Sequence, residues 1–458
     1  MPSTTPSKPS PLLLAISVFV VHTLLRAVIV FGPGMGGPAA ADETRFHMPV
    51  IQSFAEQWPS VDLSSYAAAS TPGHHLALAL LERGASSSVE LVRFVSGAPI
   101  SVLLAMLVWW CARRVGAIAA LALALPLACS PHAVGFATLV VPESTSWLLV
   151  AVVLLVTASR RVGIMTCVTL GVLLFASAGV RQLTLWCAAP IWVAAWLSGS
   201  SLVTHPSRVL PECVTRIDAP RERLVRAGIA FVCTLPAFAL VGWFMNMWGG
   251  LVPPGFQSAE AAAQISGGVV NQGLSLSAPA FTLCLVGVAG FIFLPMAASG
   301  LRSRSSTVIR WGVGGAVVAL VLSLAVPTSY SMEDGRWGGL WNAARLLPTI
   351  LDRSLFTAGG AMVGGAVVGG LVIGTLPVRA RWVLLSALVA SMAAHSAGAQ
   401  VFQRYIEPLV LILLPIAIGC AYEQREDRPP VWSLLGPAAL AALLTALTIS
   451  RVGAAVPA

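Results

Sequence analysis

Long apolar runs separated by short polar breaks recur from one end of the chain to the other. An α-helix of about 20 residues crosses a hydrocarbon core. The runs therefore predict spans at roughly 11–31, 91–111, 115–130, 137–157, 162–178, 183–199, 227–246, 279–299, 311–327, 357–376, 381–401, 405–422 and 431–450. The predicted fold class is an all-α polytopic membrane protein, a bundle of about 13 transmembrane helices in one domain over residues 1–458. The loop 32–90 opens with the breaker Gly32-Pro33-Gly34. From Asp42 to Trp58, the apolar residues Phe46, Val50, Ile51 and Phe54 then recur at helical spacing. This pattern predicts an interfacial amphipathic helix with Asp42 at or near its N-cap, and with Asp42-Glu43 in a first turn whose dipole favours negative charge.

Composition agrees with membrane insertion. Hydrophobic residues make up 57% of the chain and charged residues only 10%, with a mean hydropathy of +0.85, against about 25% charged in soluble domains. If the Pro/Ser-rich segment Met1–Ser10 is a flexible cytoplasmic tail, the clusters Arg113-Arg114, Arg160-Arg161, Arg208 to Arg226, Arg302 to Arg310, Arg379–Arg381 and Arg425 to Arg428 all fall on that same side. The positive-inside rule then puts the 32–90 loop and its acids on the outer or lumenal face. The run after the tail is too long for a cleaved signal and is kept as the first membrane helix. The net charge of +9 is spread over many short loops with no basic stripe, which fits lipid headgroups and excludes a nucleic-acid partner. Eight cysteines show no CxxC pair or metal spacing, so neither a disulfide framework nor a zinc site is expected.

Against this apolar background the polar residues stand out. Adjacent carboxylates near lipid repel each other and lose hydration, which can raise the basicity of one of them enough to accept a hydroxyl proton. Asp42 and Glu43 can equally be a helix-capping pair. Ser70-Thr71-Pro72-Gly73-His74-His75 brings two histidines to the return of the loop; neighbours on a helix point different ways, so one can face a site and the other water. Glu143 is a lone acid near lipid depth, a candidate substrate contact or a hydrogen-bonded packing residue. Arg181-Gln182 separates two spans, where the arginine can also snorkel. Gln403-Arg404-Tyr405-Ile406-Glu407 joins a cation, a phenol and an acid, and its guanidinium can clamp a phosphate. Trp248 and the segment Glu333-Asp334-Gly335-Arg336-Trp337 supply aromatic faces that serve as interface anchors or sugar platforms.

Taken in order, these segments resemble the GT-C superfamily of lipid-phosphate-sugar-dependent glycosyltransferases. More narrowly they resemble the alpha-1,2-glucosyltransferase family that adds the terminal glucose to the dolichol-linked N-glycan precursor. That family's Asp-Glu-x-x-Phe-His-x-Pro motif is matched by Asp42, Glu43, Phe46, His47 and Pro49. Its Trp-Asp and Thr-Pro-Pro-Gly pattern is echoed by Trp58, Asp62 and Thr71-Pro72-Gly73. Its later Arg-Gln, Trp-Asn-Gly-Gly and Arg-Tyr segments resemble Arg181-Gln182, Trp248 to Gly255 and Arg404-Tyr405. The chain departs from the family where Gly255-Phe256-Gln257 replaces polar positions, and where no asparagine follows Arg181-Gln182.

The resemblance implies inverting transfer of a hexose, possibly glucose, from a polyprenyl or dolichyl phosphate to a hydroxyl of a lipid-linked glycan or other envelope acceptor. Asp42 or Glu43 would be the base, and His47, His74, Glu143, Arg181, Gln182, Trp248, Arg404 and Tyr405 the substrate-binding set. No metal or cofactor is called for. Expected partners are the donor, the glycan acceptor and membrane lipids. The expected location is a bacterial plasma membrane, or alternatively the endoplasmic reticulum membrane, with the site on the outer side. The rival class is a polytopic lipid or sugar transporter, since buried acids and arginines also mark substrate paths.

Overall fold

Pro11 at the first turn and Gly32-Pro33 beyond the last residue bound the first helix, Pro11–Val30. Proline suits a first turn because its missing N–H would be unpaired there anyway. The computed structural model describes residues 10–85, 88–159, 161–198, 220–260, 270–298, 305–423 and 428–454. Residues 1–9 of the expected tail, Arg208 and Arg216 of the Arg208 to Arg226 cluster, and Arg160, Arg302, Arg304 and Arg425 lie outside them. The chain is an all-α integral multi-pass membrane protein. Among the described residues the strands are two dipeptides, Thr349–Ile350 and Arg353–Ser354, paired antiparallel.

Every predicted apolar run is met by helix, but among the described residues eight helices are long and apolar enough to cross a membrane alone, or nine if one bent pair is a single span. The difference from thirteen has visible causes. The run from 115 to 130 joins its successor at a 71° bend. There Ser130 is extended and caps the next helix through bonds from His132 N and Ala133 N, with Pro131 at its first position. Glu143–Ser159, Ile164–Val180 and Gln182–Leu197 are shorter apolar helices of 17 residues or fewer, and Val378–Ser396 carries Arg379 and Arg381 in its first turn.

The bundle is layered by burial. Gln403–Tyr422 is its axis, with 89% of its apolar window buried, whereas the values for Ser305–Ala325 and Pro11–Val30 are 11% and 22%. Those outer helices turn apolar side chains outward, a face that lipid can cover. The small residues of 359–374 let backbones touch, as their composition predicts. A Cβ on Gly364 would stand 1.9 Å from the Leu283 carbonyl oxygen, and one on Gly369 would stand 2.0 Å from that of Trp311.

The 32–90 loop has a core of its own, in which Val50, Ile51 and Phe54 meet Ala68, Leu78, Ala79 and Val92. The predicted amphipathic face is therefore real, but the predicted start is wrong. The helix begins at Pro38 behind Gly37 (φ 96°), and Pro38–Asp42 runs through a π-helical turn, Glu43–His47, into Met48–Gln57. Asp42 makes no capping bond. Pro38, with its preset φ and preceding glycine, starts the helix one turn earlier than the acids would have.

Candidate active site

Placing Asp42 and Glu43 inside a helix rather than at its cap sends the two carboxylates in different directions. Asp42 forms an ion pair with Arg404, from the first turn of Gln403–Tyr422. Arg404 also donates through Nη2 to the Tyr405 hydroxyl (2.7 Å), and its guanidinium lies 4.8 Å from the Tyr405 ring centroid and 5.2 Å from that of Phe402. Its buried Nε has no partner. Glu43 is 1% exposed. Its oxygens accept from Arg93 Nε (3.0 and 3.1 Å), Arg93 Nη2 (2.7 Å) and the Val140 amide (2.8 Å). Glu43 ties the loop helix to Val89–Ser96 and to the 138–142 turn, and does not line the cleft that holds Asp42. The repulsion expected between neighbouring carboxylates is relieved by separate cations.

A second ion pair stands beside the first. Arg181 binds Glu143 Oε1, and its guanidinium lies 4.0 Å from the Tyr405 ring centroid. Tyr405 thus lies between two arginines. Glu143 Oε2 is buried without a partner. Arg181 is not a snorkelling residue: it caps the Ile164–Val180 helix in extended conformation and turns inward.

Behind Asp42, one turn along the helix, His47 Nδ1 lies 2.9 Å from His75 Nε2. His75 is fully buried among Phe54, Tyr66 and His74. Burial holds His47 below its ordinary pKa, although Glu143, Asp42 and Glu43 pull the other way. Burial, with neighbouring His47 adding to it, pushes His74 down to about 3 and His75 well below its usual value.

A cleft of about 780 Å³ collects Asp42, His47, Glu143, Arg181, Arg404 and Tyr405, with Phe46, Phe136 and Phe256 as apolar wall. Two further clefts open from it. One, of about 1320 Å³, shares Asp42, Phe136, Phe402 and Arg404, and continues past Trp337, Asn342 and Gln403. The other, of about 940 Å³, shares Arg181, Asn271 and Tyr405, and is otherwise lined chiefly by apolar groups such as Leu183, Trp186, Val241 and Leu251. Asp42 with Arg404 stands at one junction and Arg181 at the other.

Three expected substrate contacts are absent from the central cleft. His74 is 4% exposed and engaged on both nitrogens, by Ser96 Oγ (3.3 Å) and Thr145 Oγ1 (3.4 Å). Gln182 accepts from Thr71 N (3.0 Å) and donates to Ala69 O (3.1 Å) and Leu251 O (3.0 Å), while Trp248 Nε1 donates to Leu63 O (2.9 Å). Gln182 and Trp248 are the hooks on which residues 63–72 hang, and that strap forms one wall of the cleft through Ala68, Ala69 and Ser70. Glu407 turns away from Arg404, accepting from Ser130 and Gln403 with His132 3.7 Å away.

The chain pattern gave no hint of Arg93, Phe136 or Asn271. A single cation in an amphipathic turn, a phenylalanine among apolar residues, and an asparagine in an irregular segment look like ordinary surface, core and loop. Among the described residues no group of three or more histidine, cysteine or acidic side chains could hold a metal ion.

No family model matches the chain, and neither does any curated protein. Among solved structures it is similar to the crystal structure of ArnT from Cupriavidus metallidurans bound to undecaprenyl phosphate, at 16% identity and a TM-score of 0.41. The match covers 93% of this chain and 63% of that one, so the chain spans less than two thirds of that protein's length.

Proposed function

We propose that the chain is a membrane glycosyltransferase of GT-C type that moves a hexose from a polyprenyl phosphate to a hydroxyl of a lipid-linked or cell-envelope glycan. The observation that carries this reading is the Asp42–Arg404 pair at the junction of two clefts, with a second guanidinium, Arg181, at the mouth of a third. The first-loop motif supports it independently.

In this reading the apolar cleft beyond Arg181 takes the lipid, the central cleft takes the sugar, and the cleft beyond Asp42 takes the acceptor. The acceptor oxygen attacks C1 of the sugar, and the C1–O bond to the phosphodiester breaks. Asp42 takes the hydroxyl proton, and polyprenyl phosphate leaves with one more negative charge than it had as the diester. Arg181 and Arg404 stabilise that charge through charge-assisted hydrogen bonds in a site shielded from water. As it grows, Arg404 shifts from Asp42 towards the phosphate, which frees a carboxylate lone pair when the proton must be accepted. Displacement from the face opposite the leaving group inverts C1. Asp42 is the base rather than Glu43, whose oxygens are fully engaged. The proposed setting is the bacterial plasma membrane, with the site outside.

The test is transfer by purified protein from a defined polyprenyl-phosphate hexose, with donor affinity measured separately. Arg404→Ala should weaken donor binding by the loss of a contact worth roughly 1.5–3 kcal/mol. Full transfer by an Asp42→Asn, Glu43→Gln double variant would sink the mechanism and favour transport.

A further inference from the structure

Two polar atoms in the central cleft are poised for a ligand but play no part in the proton and phosphate chemistry. Glu143 has only 8% of its side chain exposed; Oε1 is held by Arg181, while Oε2 is buried and unpartnered in the cleft wall. A buried carboxylate oxygen without a donor is costly to maintain unless a ligand supplies the donor. The second atom is His47 Nε2. His47 lines the same cleft through a ring whose other nitrogen is bound to His75.

The tautomer follows from counting protons. In the His47–His75 contact one nitrogen donates and the other accepts. If His47 Nδ1 donated, His75 Nε2 would be the acceptor and His75 would carry its proton on Nδ1, which is buried with no partner. An orphaned buried N–H is rarer than an unfilled acceptor. The favourable arrangement has His75 Nε2–H donating to His47 Nδ1. His47 must then carry its own proton on Nε2, as a fixed donor into the cleft. Burial disfavours the charged form of both rings.

We infer that Glu143 and His47 read two hydroxyls of the transferred sugar in opposite senses, Glu143 Oε2 accepting from one and His47 Nε2–H donating to the other, with His75 as the residue that sets the His47 tautomer. The inference rests on the cleft being the sugar compartment of the proposed transferase. Phe46, Phe136 and Phe256 offer apolar faces to the C–H edges of the ring. Glu143 and Asp42 are each balanced by one arginine, so a sugar carboxylate would add an unmatched charge beside Glu143. The compartment therefore selects a neutral hexose over a uronic acid.

Two measurements on the purified full chain test it. In ¹⁵N-histidine NMR spectra at neutral pH, His47 should carry its proton on Nε2, and a proton on Nδ1 would overturn the donor role. Binding is then measured for short-chain prenyl-phosphate glucose, its four monodeoxy forms at C2, C3, C4 and C6, and the glucuronic acid analogue. One monodeoxy donor should bind wild type roughly 10-fold to 100-fold more weakly than the parent, the loss expected for a hydrogen bond to a charged group. In Glu143→Gln most of that penalty should vanish. Because Glu143→Gln strands Arg181, Glu143→Asp serves as a second variant: it keeps the charge but withdraws the oxygen, and should lose the same discrimination. Equal penalties in all three proteins, or glucuronate binding as tightly as glucose, overturn the assignment even if transfer proceeds. Discriminating binding without any transfer would leave the assignment standing and overturn the transferase reading instead.

Discussion

Asp42 keeps 27% of its side chain exposed and shares a cleft with Arg404, whereas Glu43, one position on, is sealed against Arg93 and the Val140 amide. Their substitutions should therefore fail in different ways. Asp42→Asn should lower kcat about 100-fold to 10,000-fold, the contribution of a general base, with folding intact. Glu43→Gln should leave the chemistry largely in place but cost roughly 3 kcal/mol, the low end for breaking a buried pair, because Arg93 keeps some access to water. Turnover and thermal melting in detergent separate the two. The loop histidines add a pH dependence. An unfolded histidine takes a proton below about pH 6.5, whereas His47, His74 and His75 are held lower, His74 down to about 3. The unfolded chain then binds more protons, so stability is complete above about pH 6.5 and falls as pH drops towards 3. Melting temperatures at pH 7.5, 6 and 5 should decline in that order, and a flat series would contradict the buried histidine cluster.

Helices were readable because each depends on a local run of apolar residues; their ends and partners depend on contacts the run does not contain. The apolar helices follow from their local composition, although not how many of them cross a membrane alone, and the amphipathic face of Met48–Gln57 follows from its periodicity. The 71° bend at Ser130-Pro131, the early start at Pro38 and the π-helical turn at Glu43–His47 do not, and it is the last two that put both acids inside a helix. Of the site, Asp42, His47, Glu143, Arg181, Arg404 and Tyr405 were recognisable as polar residues in apolar surroundings, and the fold gathers all six. Gln182, Trp248 and His74 drew attention for the same reason, yet their polar atoms satisfy backbone and hydroxyl groups within the protein. Polarity near lipid signals that a group is needed without saying whether its partner is a ligand or the chain. The glycine seam of Leu355–Val367 gives a sharper case. Gly364→Leu forces side-chain atoms against the Leu283 carbonyl and should destabilise by at least about 1–3 kcal/mol, as overpacking does. Gly359, five residues earlier, has nothing within 4 Å of a Cβ. There, alanine should be neutral or should stabilise by about 0.5–1 kcal/mol through helix preference, as melting curves can establish.

Across the whole molecule, the distribution of arginines predicts that the Pro38–Gln57 helical segment faces outward and that Arg221 at the start of Pro220–Trp248 faces the cytoplasm. Cysteines introduced at Gln57 and Arg221 should react with an impermeant maleimide from opposite sides, and reaction of both from one side would refute the orientation. The Asp42–Arg404 pair links partners 362 positions apart, which has a consequence for synthesis. At about 5 to 20 residues per second, the acid is made roughly 20 to 70 s before its counter-ion. Throughout that interval the nascent protein carries an unbalanced carboxylate and a cleft with one wall missing. Arg181 arrives to steady Glu143 midway, but the central compartment closes only when one of the last helices enters. A ribosome that stalls before Arg404 would release a chain whose first loop still bears an uncompensated charge at Asp42, a mark a quality-control protease could recognise.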